Sequence, residues 1–139
     1  YFDEALGMET DNAKKSEMAY ATAAALWQAK KLSQARTYAQ KAISFNENYG
    51  EPYILLAQMY GSNPNWSDEP ALNRCTYYVV IDKLQRAKAV DPSVTDKVNE
   101  LIATYARHTP QAKDLFMLGY KAGDRITIGG WIGESTTIR

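Results

Sequence analysis

The sequence predicts an all-α fold, a solenoid of stacked helix-turn-helix units with a small C-terminal β-hairpin extension, and three observations predict it. One phrase occurs three times, as Glu4-Ala5-Leu6-Gly7-Met8, Lys41-Ala42-Ile43-Ser44-Phe45 and Arg86-Ala87-Lys88-Ala89-Val90. Each copy has a small Ala followed three residues on by a bulky apolar side chain and then by a polar helix end. Between the copies, apolar residues recur at three and four positions, the spacing of one helix face. After Gly119 the chain turns to glycines and alternating β-branched residues, the pattern of short strands and turns.

Taken in order, Tyr1 to Asn12 reads as the end of a preceding repeat's second helix, with Glu9-Thr10-Asp11-Asn12 closing it, which places further repeats upstream. Ser16 with Glu17 behind it reads as the cap of a first helix, and Ala19, Thr22, Ala23 and Leu26 carry its apolar face to about Lys31. Ser33 reads as the next cap, and Ala35, Tyr38, Ala39, Ala42 and Phe45 make the buried face before Asn46 to Gly50 break the helix. Pro52 sits where a helix start tolerates it and opens the following pair.

Gly61 to Pro70 then inserts a polar stretch where a tight turn would suffice, with Trp66 in its middle. Ser67 or Asp68 is positioned to cap one long helix from near Pro70, with Tyr77, Val80, Leu84 and Ala87 on one row. The run Tyr77-Tyr78-Val79-Val80-Ile81 has strand propensity, but the spacing of flanking Lys and Arg favours helix. Val94 to Arg107 predicts another amphipathic helix through Val98, Leu101, Ile102 and Tyr105, and Thr109-Pro110 begins a shorter one ending near Gly119. Arg125 to Ile128 and Ser135 to Ile138 predict the two strands of a hairpin. Its apolar residues, Ile126, Ile128, Trp131 and Ile138, are expected to lie on the helices around Leu101 to Leu118. The chain thus divides into helical repeats over 1–119, with 1–12 the end of a preceding one, and a β-hairpin tail over 120–139.

The repeated Ala residues lie 37 and 45 positions apart, close to a helix-turn-helix period of about 34 plus insertions. The unit resembles a tetratricopeptide repeat (TPR). In that phase the small residues fall on Ala23, Ala35 and Ala42, and the aromatic-Leu-small-Tyr pattern of a first helix falls on Tyr53, Leu56, Ala57 and Tyr60. Asp91-Pro92 matches the family's helix ending. The tail, with Gly119-Tyr120-Lys121, Gly123-Asp124, Gly129-Gly130-Trp131-Ile132-Gly133-Glu134 and Thr136-Thr137, is similar to the ends of a subset of bacterial TPR proteins. That similarity implies an exported, periplasmic or cell-envelope setting, which nothing else in the sequence fixes.

Composition narrows the function classes. At 139 residues and 45% hydrophobic, the chain is long enough to bury roughly 68% of its unfolded surface. Sixteen Lys and Arg balance sixteen Asp and Glu, so no net field is available to hold a nucleic acid. No run approaches the length of a membrane span. The lone Cys75 lies in an apolar run and reads as a buried small hydrophobe.

An enzyme needs converging nucleophile, base or metal ligands, and the sequence offers one His and one Cys, on separate predicted helices. His108 follows Arg107 at a helix end, where a cation favours the dipole, and reads as structural. Asp68 and Glu69 read as capping acids, and Gly129-Gly130-Trp131 as a turn, since neither a phosphate-binding Lys nor a strand-to-helix setting accompanies it. The expectation is therefore no catalytic residue, no metal and no cofactor.

A binding role fits better, because stacked helix pairs form a concave groove lined by their first helices. In TPR phase its lining is Tyr20, Ala24, Trp27 and Gln28 in one unit, and Ile54 and Gln58 in the next, and Trp66 is a further candidate anchor from its loop. The Lys, Arg and Asn with which the family's best-known peptide mode clamps a carboxylate are replaced here by Tyr, Ala, Ile and Gln. The expected partner is therefore a less charged protein or peptide segment. The alternatives are a regulatory or substrate-presenting end of a larger enzyme or transport assembly, or a self-association module.

Overall fold

The computed structural model describes residues 11–139. The first copy of the repeated phrase, Glu4 to Met8, and the reading of residues 1–10 as part of a preceding helix lie outside the described residues. The rest is mostly helical. In chain order it runs α1 (Asn12–Gln28), α2 (Leu32–Phe45), α3 (Glu51–Ser62), α4 (Pro70–Arg74), α5 (Thr76–Val90), a 3-10 turn (Pro92–Val94), α6 (Thr95–Ala106), α7 (Ala112–Met117), β1 (Arg125–Thr127) and β2 (Ser135–Thr137).

Helix α1 begins four residues before the expected cap. Asp11 holds the extended backbone of a cap and its carboxylate accepts the Ala13 N–H at 2.9 Å, so Asp11 and Asn12 open this helix rather than close an earlier one. Ser16 is fully buried, and its hydroxyl donates to the Ala42 carbonyl at 2.7 Å. That bond ties α1 to α2 at a crossing where Ala19 and Ala42 are both inaccessible, the close approach that only small side chains permit. The helix also ends early, because Lys30 adopts φ +62°. The Lys30 N–H then reaches Trp27 O and the Lys31 N–H reaches Leu26 O, a left-handed stop that satisfies two terminal carbonyls. Ser33 lies inside α2 and Lys31 occupies the cap position without a side-chain bond.

Neighbouring helices pack in sequence order, α1 on α2, α2 on α3, α3 on α5 and α5 on α6. The residues that the sequence puts on apolar helix faces and in the repeat pattern, Ala23, Ala35, Ala42, Leu56, Ala57 and Ala87, are all buried. Helix α3 is buried nearly all round, from Pro52 to Ala57 and again at Met59 and Tyr60.

The single long helix expected from Pro70 is two pieces, α4 and α5, broken at Cys75. The insertion explains the break. Asn73 is recruited by the loop, its side-chain oxygen accepting the N–H groups of Trp66 and Ser67 and its amide donating to Ser67 O. Thr76 donates to Pro64 O at 2.9 Å, and the Cys75 N–H takes Leu72 O in a tightened turn. Glu69 holds the α4 cap position without a side-chain bond, while Ser67 Oγ accepts the Glu69 N–H.

Strands β1 and β2 pair antiparallel with Ile126 opposite Thr136, and Ile126, Ile128, Ile132, Thr136 and Ile138 face inward. The hairpin lands away from the expected place. It lies along α5 and reaches α3 and α2, and its Ile138 end shares a surface with Leu115 of α7. Polar side chains decide the landing. Thr136 donates to Asp82 at 2.7 Å, Arg139 also pairs with Asp82, and Lys83 pairs with Glu134 at 2.7 Å. Glu134 accepts the Tyr60 hydroxyl, which in turn accepts Arg36 Nε–H at 2.9 Å. Trp131 sets its edge on the Tyr60 ring, 5.3 Å between centroids.

Trp66 completes the clasp. Its indole N–H donates to Leu72 O at 3.1 Å, and a Cβ placed on Gly129 would lie 2.9 Å from its ring. Only glycine admits that approach.

Candidate binding groove

Helices α1 and α3 leave a groove of about 720 Å3 between them, and Tyr20, Ala24, Trp27, Gln28 and Gln58 all line it. The first four follow the i, i+4, i+7, i+8 stripe of one helix face. Leu32, Leu55, Lys30, Ser62 and Asn63 complete the wall.

Two of the sequence-derived candidates lie elsewhere. Ile54 is 1% exposed and belongs to the core, and Leu55 takes the groove position in its place. The α3 groove stripe is therefore Leu55, Gln58 and Ser62, one residue round the helix from Ile54. Trp66 is half-buried against Gly129 and borders a separate shallow depression with Asn65, Ser67 and Asp68.

The groove is almost neutral. Tyr20 stands edge-on to Tyr49, 5.6 Å between centroids. Burial, and then the nearby Glu51 carboxylate, raise its hydroxyl above the ordinary tyrosine range, so it stays protonated as a donor. Glu51 is itself paired with Lys97 at 3.1 Å. Gln28, Gln58 and Asn63 supply amides that both donate and accept. Lys30 is the charged residue in the lining.

The other candidates are placed differently. Burial pushes the Cys75 thiol up to about 11, far from the range of a nucleophile. His108 packs its ring on Tyr77, 5.3 Å between centroids, beside the insertion loop. Among the described residues no group of His, Cys, Asp or Glu gathers as metal ligands, and no helix is long and apolar enough to cross a membrane.

Leu32, Leu55 and Asn63 were missed as groove residues. Asn63 closes α3 and Leu32 opens α2, so both sit at turns where a helical-face argument does not reach. The chain has no significant match among protein-family models, curated proteins or solved structures.

Proposed function

We propose that the chain is a protein-protein interaction or scaffolding module of the TPR type, which holds a peptide segment of its partner in the α1–α3 groove. The observation that carries this reading is the convergence of Tyr20, Ala24, Trp27, Gln28 and Gln58 on one groove. Two aromatic side chains provide rigid apolar area at low entropic cost. The amides of Gln28, Gln58 and Asn63 match an extended peptide backbone, which offers alternating N–H and C=O groups. With little fixed charge in the lining, the favoured segment is neutral and mixed apolar-polar rather than a clamped carboxylate. The helical order and the buried Ala crossings support the repeat reading that places these residues on one face.

Selection from a displayed random-peptide library tests this. Peptides retained by the parent chain and lost on the folded double variant Trp27→Ala with Gln58→Ala are the expected result. A library yielding peptides that both proteins retain equally would assign binding to another face.

A further inference from the structure

The large hydrophobic side chains left exposed among the described residues are three in a row, Phe116, Met117 and Leu118, with Phe116 75% and Met117 84% accessible. Phe116 and Met117 border a groove of about 460 Å3 at the C-terminal end of the fold, floored by Leu115, Tyr120 and Ile138. Every charged residue in that lining is a cation: Lys113, Lys121 and Arg139. Asp82 and the face of Tyr78 hold Arg139. Lys113 and Lys121 form no ion pair among the described residues.

An apolar floor with cations around it is the complement of an amphiphilic anion, and the contiguous exposed patch is larger than isolated surface hydrophobes require. We propose that this groove docks an acidic segment of a partner protein, one that presents bulky apolar side chains beside Asp or Glu. Charge selects that occupant. A second copy of the chain would bring the same set of cations to the contact, a like-charge cost. An anionic bilayer is drawn by a long-range field, and the chain's formal net charge is zero. The attraction here is local and acts on a ligand that enters the groove. None of its lining residues belongs to the α1–α3 groove, so this site stands whether or not that one binds peptide.

The probe is a dye-labelled amphipathic peptide of Phe, Leu and Glu, with a counterpart carrying Lys for Glu, read by fluorescence anisotropy. Lys113 and Lys121 are exposed, so the double variant Lys113→Glu with Lys121→Glu keeps its fold, verified by its thermal melt. The acidic probe binds the parent and the basic one does not. The charge reversal weakens the acidic probe at least about tenfold, as does Phe116→Ser with Met117→Ser. Four results overturn the proposal. The acidic probe fails to bind, or binds the charge-reversed variant equally. Co-sedimentation with phosphatidylglycerol vesicles in place of peptide binding would assign the patch to a membrane. A concentration-dependent dimer lost in the Phe116→Ser variant would assign it to self-association.

Discussion

The backbone N–H of Gly50 donates to the Asp91 carboxylate at 2.9 Å, across 41 positions of sequence. It joins the turn that precedes α3 to the turn that follows α5. The approach is close, since a Cβ on Gly50 would lie 2.9 Å from both Asp91 Cβ and Val94 Cγ2. The other Asp91 oxygen accepts from Ser93, by hydroxyl and by backbone N–H, so one carboxylate starts the next helical unit and fastens the previous one.

Those bonds, led by the Ser93 hydroxyl and then the Gly50 N–H, hold the Asp91 carboxyl below the usual carboxylate range. A depressed folded value stabilises the fold above the unfolded value of about 4, and the gain is lost as pH falls through the lower folded value. Thermal melts of the parent and of Asp91→Asn should therefore differ most near neutral pH, by no more than about 1 kcal/mol because solvent screens the carboxylate and Asn keeps the cap, and converge in acid. A gap that stays constant from neutral pH into strong acid would remove the carboxylate from this role.

Ala42→Arg should be among the most damaging single changes. The position is fully buried, and its carbonyl accepts the Ser16 hydroxyl at the α1–α2 crossing. A cation buried unpaired at such a close crossing costs more than about 3 kcal/mol. Chemical denaturation measures it, and a midpoint equal to the parent's would contradict the crossing.

Removing the tail after Gly123 takes away Trp131, Glu134, Thr136 and Arg139, and with them the partners of Tyr60, Lys83 and Asp82. The truncated chain should melt lower and expose apolar surface to a hydrophobic dye. Trp66→Ala should reproduce part of that loss, about 2 kcal/mol, because the indole supports Gly129 from below. A truncated chain as stable and as soluble as the parent would make the hairpin an independent arm.

Cys75 should be silent to thiol reagents in the native state. Its thiol, raised to about 11 by burial, ionises only as pH climbs toward that value. Near pH 8 its modification should be on the order of a hundredfold slower than that of a free cysteine. Denaturant should restore the free rate, and native-state labelling at that free rate would show the α4–α5 break to be open.

The helical order, the buried alanines and the two strands were legible because each rests on local spacing, as in α2, where Ser33-Gln34, Arg36-Thr37 and Gln40-Lys41 separate the apolar residues. Ile54 was misread because the chain from Pro52 to Ala57 is buried without a polar gap, and a helix apolar all round carries no phase. Ser16 was misread because a hydroxyl before a Glu has the pattern of a cap, while its true acceptor, Ala42 O, lies 26 positions away. The landing of the hairpin was not legible. Asp82, Lys83, Glu134 and Thr136 each read as ordinary surface polar residues until the fold brings them together. The groove survived these errors, since Tyr20, Ala24, Trp27 and Gln28 depend only on the period of α1.

The most direct measurement of the central claim is calorimetric titration of a library-selected peptide into the parent and into Trp27→Ala with Gln58→Ala, at matched thermal stability. Loss of an aromatic anchor and of an amide facing the peptide backbone should weaken Kd by about thirtyfold or more. Lys113→Glu with Lys121→Glu, at the other end of the fold, should leave that Kd unchanged. An unaltered Kd in the folded Trp27 and Gln58 variant would contradict the account.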